Sequence, residues 1–314
     1  MKIIALMPAK NEEWILKTTL PQLKRFVDEI LVLDGQSTDG TKAIVERFQG
    51  IAYEQEGTEV HYSTWRQFLL TKGRERGGTH FVWLDADEAF TTNFLPTFRS
   101  RLEQLRPGQK LVLDWLCLWK DPRQVRSDGS VYSVLPKDFV FCDDGVSGFN
   151  PATLHEGRTP GPNDPERSLR IPREEGAVLH FQFVPFDRFQ IKQAYMRCRE
   201  LVMKTAQAWE INEKYAITLD DPAARCVPAP AAWLEGITGL DDLKNQGQGW
   251  YEQGVLDYFE RQGPEFFEPL EIWHVPQFRA AFRERVGREP CSAPRPSTAR
   301  RFALRAARKL RRMI

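Results

Sequence analysis

No apolar run in the 314-residue chain approaches the roughly 18 residues that a membrane-spanning helix needs. The opening MKIIALMPAK holds only a short apolar stretch, which Pro8 interrupts, so it does not read as a secretory signal. Cysteine is scarce. Cys117, Cys142, Cys198, Cys226 and Cys291 are scattered, odd in number and without a CxxC pair. That pattern disfavours a zinc ribbon and is most simply read as the reduced thiols of a cytoplasmic protein. Charge of one sign is lacking too, since the formal net charge is +1. Eight basic residues and no acid lie between Arg295 and Arg312, which leaves −7 on the rest of the chain. A nucleic-acid groove over the main body is therefore not expected. No internal repeat is visible.

What is present is a globular composition, 41% hydrophobic and 28% charged, long enough for two lobes or one large α/β domain with an appendage. KIIALM (2–7) and EILVLD (29–34) read as buried strands, IAYEQE (51–56) as a third, and THFVWLD (79–85) as a fourth. Helical spacing predicts helices over 12–27, 42–48 and 62–76, with Pro21 kinking or splitting the first. Asp39 or Thr41 can cap the second. Alternating strands and helices with short joins predict a parallel sheet covered on both faces. LVLDWLCLW (111–119), VYSVL (131–135) and AVLHFQF (177–183) are further strands, and 157–172, with four prolines, is a long loop. A long helix over 188–210, capped by Asp187, and a mostly helical 220–289 follow. Residues 290–297 form a linker, and 298–314 a basic tail.

The strongest chemical signal is Asp85-Ala86-Asp87, which closes the FVWLD strand. Residues i and i+2 of a strand project to one side, and the carboxyl ends of parallel strands border the crevice where open α/β sheets bind ligands. Two neighbouring carboxylates repel unless a cation stands between them, and Mg²⁺ or Mn²⁺ suits hard oxygen ligands. MPAKNEE (7–13) and LDGQSTDGT (33–41) follow the first two strands, so both should rim the same crevice. Pro8 and Ala9 can wall a flat ring. Glu12 can take a ribose hydroxyl or base edge, and Asp34 can accept a hydrogen bond from a base or ribose. Asn11 of the first turn is a further candidate contact to the bound nucleotide. Asp39 reads as a capping residue rather than a ligand contact.

The ordered set MPAKNEE, LVLDGQSTDGT and VWLDADE resembles the family-2 glycosyltransferases of bacterial type, over about the first 90 residues. The resemblance implies a GT-A-like α/β/α sandwich with a mostly parallel central sheet and a helical C-terminal segment. Residues 1–110 would then bind the nucleotide sugar, 111–185 the acceptor, with a helical region over 186–289 and a basic tail over 290–314. It also implies transfer from a nucleotide-sugar donor, a UDP-sugar by default, to a saccharide or lipid-linked acceptor hydroxyl. Mn²⁺ or Mg²⁺ would be held by Asp87 with help from Asp85. Arg66 is similar to an arginine that such enzymes place near the diphosphate, and a guanidinium suits phosphate through its fork of donors. A surface arginine is the other reading of Arg66. His180 is either a further metal ligand or a core histidine.

Such enzymes are usually inverting and need a carboxylate base at the acceptor hydroxyl. Candidates are Asp138, Asp143, Asp144 and Glu156. TLHEGRT (153–159) resembles a His-Glu element of some bacterial members, which favours Glu156. Trp115, Trp119, Trp233 and Trp250 are candidates for stacking on sugars, although core packing is the commoner use of each. The tail over 298–314 suits an anionic membrane surface, hence a cytoplasmic enzyme peripheral to the inner face, or else is a solvated tail. The expected pathway is bacterial surface polysaccharide, lipopolysaccharide or glycolipid synthesis. The competing readings are a DxD phosphatase and a catalytically degenerate nucleotide-sugar-binding protein. Ala89, two places after Asp87, departs from the Thr or Val that the phosphatases carry there.

Overall fold

The structure, a computed structural model, describes residues 1–55, 62–130, 133, 135–149, 157–161, 164–216, 224–246 and 249–292. The chain divides into two compact units: Met1–Phe186 with Ala223–Gly247, and Asp187–Pro222 with Gln248–Ile314.

The first unit opens with Ile3–Ala9 (β1), Glu13–Lys24 (α1), Glu29–Asp34 (β2), Thr41–Arg47 (α2), Ile51–Glu54 (β3), Tyr62–Glu75 (α3) and His80–Trp83 (β4). Ile4 and Leu6 of β1, Leu31 and Leu33 of β2, and Phe81 and Trp83 of β4 pack with Trp65, Leu69 and Leu70 of α3. The intervening Ile3, Ala5, Met7, Ile30, Val32 and Val82 are equally buried. Alternate residues of a strand face opposite ways, so these strands are covered on both faces. Pro21 lies inside α1 without ending it. The carbonyl that Pro21 leaves without its helical partner belongs to exposed Lys17, where water can serve it.

The unit continues with Glu88–Phe90 (β5), Leu95–Glu103 (α4), Lys110–Cys117 (β6), Gln124–Arg126 (β7), Leu135–Cys142 (β8), Ser168–Arg170 (β9) and Ala177–His180 (β10). Among the described residues, the main sheet runs β3-β2-β1-β4-β8-β6-β10-β5, with β9 also paired to β6. β8 and β5 are antiparallel to their neighbours, and the other pairings are parallel. The core is therefore the expected α/β sheet, mixed but mostly parallel. Of the strand read over VYSVL, only Ser133 and Leu135 lie within the described residues, and Leu135 opens β8. The expected strand over 177–183 stops at His180 and turns into a short 3-10 segment.

The second unit begins with Phe186–Val202 (α5) and Ala208–Lys214 (α6). The single helix expected over 188–210 is broken between them. Lys204 adopts a left-handed φ of 54°, and Gln207 with Glu210 forms a capping box that starts α6 afresh. Asp187 lies in the first turn of α5 rather than ahead of it. Cys226–Pro228 (β11) and Ala231–Leu234 (α7) return to the first unit, where β11 pairs with β7. The region 220–289 is thus not wholly helical. Tyr251–Gln262 (α8) and Pro276–Val286 (α9) complete the second unit, burying Val255, Phe259, Phe278 and Phe282 with Ile191 and Cys198 of α5. Among the described residues, no helix is long and apolar enough to cross a membrane. The basic tail over 298–314 lies outside them.

Candidate active site

Because β1, β2, β4, β6 and β10 run one way, their carboxyl ends share one edge of the sheet. Ala9, Asp34, Asp85, Asp87 and His180 follow or close those strands, so the fold gathers them along one rim. The loops after β1 and β2 are tied together. Gly35 N donates to Ala9 O at 2.7 Å, and a Cβ on Gly35 would lie 3.2 Å from Lys10 Cβ and 3.3 Å from the Trp65 ring. Asn11 N donates to Ser37 Oγ at 2.8 Å, and Thr38 N donates to Asn11 Oδ1 at 2.7 Å. Asn11 and Gln36 both hold left-handed backbone, with φ of 53° and 61°. Such strain outside glycine collects where surrounding bonds enforce it, often at functional sites.

The residues expected to bind the donor are thus already engaged by neighbouring residues of the two turns and of α1 and α2. Buried Asp34 accepts from Ser37 N and Ser37 Oγ. Glu12 accepts from Trp14 Nε1 at 2.6 Å, and its own N–H donates to Thr41 Oγ1. Pro8 pairs with Leu33 and Ala9 with Asp34 across β1 and β2. Asp39 accepts from Thr41 N and Glu13 N, but the N-cap of α2 is Gly40, so neither Asp39 nor Thr41 holds the expected cap position.

The acid turn after β4 is fixed through its backbone. Glu88 N donates to Asp85 O, Phe181 N to Asp87 O, and Thr19 Oγ1 to Ala86 O. Asp87 Oδ2 stands 3.4 Å from His180 Nε2, and both side chains are almost fully buried. The His180 ring stacks on Trp115 at 4.2 Å, which fixes its plane. A carboxylate oxygen facing an imidazole nitrogen suits Mn²⁺. The buried His180 Nδ1 makes no hydrogen bond. Asp85 instead meets Arg158 Nη2, 2.8 Å from its Oδ2. Among the described residues, no three His, Cys, Asp or Glu groups converge as a metal cage. The residues fit an ion through Asp87 and His180, with Asp85 alongside and further ligands left to substrate and water.

Sequence reasoning missed Glu88 and Arg158. Glu88 is fully buried and accepts from Trp115 Nε1 at 2.6 Å and Asp85 N at 2.9 Å. Arg158 Nη1 and Nη2 donate to its two oxygens at 2.5 and 2.7 Å. Burial opposes the charge on Arg158, but Asp85 and Glu88 outweigh it and the guanidinium pKa rises. An acid directly after the DxD motif and inside an apolar stretch was the available signal for Glu88. Nothing local marked Arg158.

Arg66 lies over the Trp83 ring, and its Nη1 donates to Gly157 O at 2.8 Å. Trp115 is covered on one face by His180 and on the other by Lys137, whose Nζ is 3.3 Å from the ring centroid. Trp119 is similarly enclosed by Phe183 and Arg126. Neither ring offers a bare face to a sugar.

Asp143 and Asp144 are not brought to this rim. β8 runs antiparallel to β4 and pairs Cys142 with His80, the first residue of β4. The two aspartates therefore emerge at the opposite edge, about five residues or ~16 Å along the strand from Asp85. Arg74 Nε and Nη2 clasp Asp143 at 2.8 and 2.7 Å, and Asp144 accepts from Val146 N, Ser147 N and Ser147 Oγ. Asp138, midway along β8, accepts from Lys110 and Thr159. Burial would raise its pKa, but those two partners hold it below the usual value. Glu156 lies outside the described residues.

Residues 4–110 match the profile of Glycosyl transferase family 2. Through this segment the chain is similar to that family. The matched segment ends at Lys110, the first residue of β6, and so includes the turns after β1, β2 and β4. No curated protein matches the chain. Among solved structures, S. aureus TarS 1-349 is 12% identical, with 91% of this chain and 82% of that chain covered and a TM-score of 0.38. A second S. aureus TarS structure is 14% identical, covering 70% of this chain and 43% of that chain at a TM-score of 0.35. Glucosyl-3-phosphoglycerate synthase from Mycobacterium tuberculosis, in complex with Mn²⁺, UDP and glucosyl-3-phosphoglycerate, is 20% identical. It covers 37% of this chain and 44% of that chain at a TM-score of 0.27. The chain thus spans less than half the length of these last two proteins.

Proposed function

We propose that this chain is a metal-dependent, inverting family-2 glycosyltransferase with a GT-A-like core. It would move a sugar from a nucleotide-sugar donor to an acceptor hydroxyl in bacterial surface polysaccharide, lipopolysaccharide or glycolipid synthesis. The observation that carries the reading is the gathering of Asp34, Asp85, Asp87 and His180 on one strand-end rim within or beside the matched segment. Asp87 and His180 would hold Mn²⁺ or Mg²⁺, which when bound neutralises charge on the departing diphosphate. Asp34 and Glu12 would orient the nucleoside against Pro8 and Ala9. Arg66, now donating to Gly157 O, would offer its fork to the diphosphate.

Glu156 is the proposed base, which would take the proton from the acceptor hydroxyl as its oxygen attacks the anomeric carbon from behind. The tail over 298–314 would attach the enzyme to an anionic membrane surface. The test is incubation with Mn²⁺ and a panel of nucleotide sugars. Release of nucleoside diphosphate that disappears in Asp87→Ala supports the reading. Hydrolysis of simple phosphomonoesters in its place would overturn it.

A further inference from the structure

Gly157, Arg158 and Thr159 are held by three different parts of the first unit. Arg66 of α3 takes the Gly157 carbonyl at 2.8 Å. The acid turn takes Arg158, whose guanidinium joins both oxygens of Glu88 and one of Asp85. Thr159 Oγ1 donates to Asp138 of β8 and accepts from Lys110 Nζ of β6 at 3.1 Å. A glycine- and proline-rich stretch has no reason of its own to adopt one course, and ordering each residue costs about 1–2 kcal/mol of backbone entropy. Here side-chain bonds from elsewhere supply that order.

Arg158 stands at the centre of these contacts. Its side chain is 11% exposed, and its counter-charge Glu88 is wholly buried. A guanidinium can span two carboxylates with paired, directed bonds, whereas an ammonium cannot. One end of the cluster reaches the Asp85 carboxylate, two residues from Asp87. The other is the backbone of the segment that follows the proposed base in sequence. Glu88 also pairs across β5 and β10 with His180.

We infer that Arg158 is a positioning residue that couples the 157–159 segment to the acid turn, with Glu88 as the buried counter-charge that holds it there. Fixing Asp85 from the side keeps the turn in one arrangement for the donor. The same guanidinium keeps the acceptor-side segment in register with that turn. The inference rests on the glycosyltransferase reading for its consequence in donor binding, and on geometry alone for the anchoring of 157–159.

Removing Arg158 alone would leave Glu88 buried and unpaired, which can unfold the protein. The informative variant is therefore the pair Glu88→Gln with Arg158→Met, which removes both charges together. Hydrogen–deuterium exchange over 157–161 and calorimetry with MnCl₂ and UDP are the two measurements, made on the full chain. The paired variant should melt cooperatively, exchange faster over 157–161, and bind UDP in the presence of Mn²⁺ at least ~tenfold more weakly. Arg158→Lys should fall between it and the wild type in both. A paired variant that folds and is unchanged in either measurement overturns the coupling. If the wild type takes up neither UDP nor any other nucleoside diphosphate with Mn²⁺, the glycosyltransferase reading fails. The exchange result then still decides the anchoring: faster exchange supports it and wild-type exchange overturns it.

Discussion

Asp87 and His180 lie 93 positions apart in the sequence, yet Oδ2 of one stands 3.4 Å from Nε2 of the other. Two pairings of β10 make that meeting, one with β6 and one with β5, and Phe181 N closes it on Asp87 O. Asp87→Ala should therefore reduce Mn²⁺-dependent donor binding by on the order of 100-fold or more, and His180→Gln by roughly 10- to 100-fold. The backbone bonds of the turn survive both changes, so stability should move by about 1 kcal/mol or less. Calorimetric titration of Mn²⁺ with UDP, alongside urea denaturation, checks both expectations. Wild-type affinity in Asp87→Ala would remove the ion from this pair.

Asp143 offers the opposite expectation. It is clasped by Arg74 at the far edge of the sheet, and Arg74 Nη2 also donates to Ser147 O. Asp143→Asn should leave turnover within about twofold of wild type while lowering stability by about 1–3 kcal/mol, since a charged hydrogen-bond pair is broken. A large loss of turnover with stability intact would return Asp143 to the list of bases.

The contrast between these residues shows what the sequence could convey. The β1, β2 and β4 strands were legible because each is a short apolar run closed by turn residues, and both signals are local. Their shared direction followed from the helices between them. β8 had no such local signal: it follows a polar loop rather than a crossover helix, and nothing in the sequence shows that it runs Asp143 and Asp144, two of the candidate bases, to the edge away from the acid turn. The break after α5 depended on a left-handed Lys204 and on a glutamine cap, neither of which helical periodicity registers. Glu88 was visible as an acid, but its burial depends on Arg158, 70 residues away. The flat rings that make Trp115 and Trp119 candidates for stacking do not tell, from sequence, that Lys137, His180, Arg126 and Phe183 cover them.

Gly73 tests the packing of α3 on the sheet apart from any chemistry. A Cβ there would overlap the edge of the Phe81 ring, which is itself buried in β4. In an open helix, glycine to alanine stabilises by up to ~1 kcal/mol. At Gly73 the sign should reverse, with Gly73→Ala costing about 1–3 kcal/mol from overpacking. Urea denaturation measures it, and a neutral or stabilising result would mean that α3 can move off Phe81 without loss.

Lys137 gives the pH dependence. Burial first, and then the nearby Arg158 charge, push its pKa down to about 8 from an ordinary value of 10.5. Between those values the folded protein has released a proton that the unfolded chain still holds, so this group makes stability rise with pH. Below about pH 8 the folded state carries the full cost of a charged, half-buried amine, on the order of 1–3 kcal/mol. Lys137→Met keeps an unbranched chain over the Trp115 ring and removes the charge. The variant should be the more stable protein at pH 7 by that amount, and its advantage should shrink as the pH is raised from 8 through 10.5. Urea denaturation of both proteins at stepped pH reads the difference directly. An advantage that stays constant across that interval would mean that Lys137 remains protonated in the fold, and that Glu88 and Asp85 stabilise its charge more than burial opposes it.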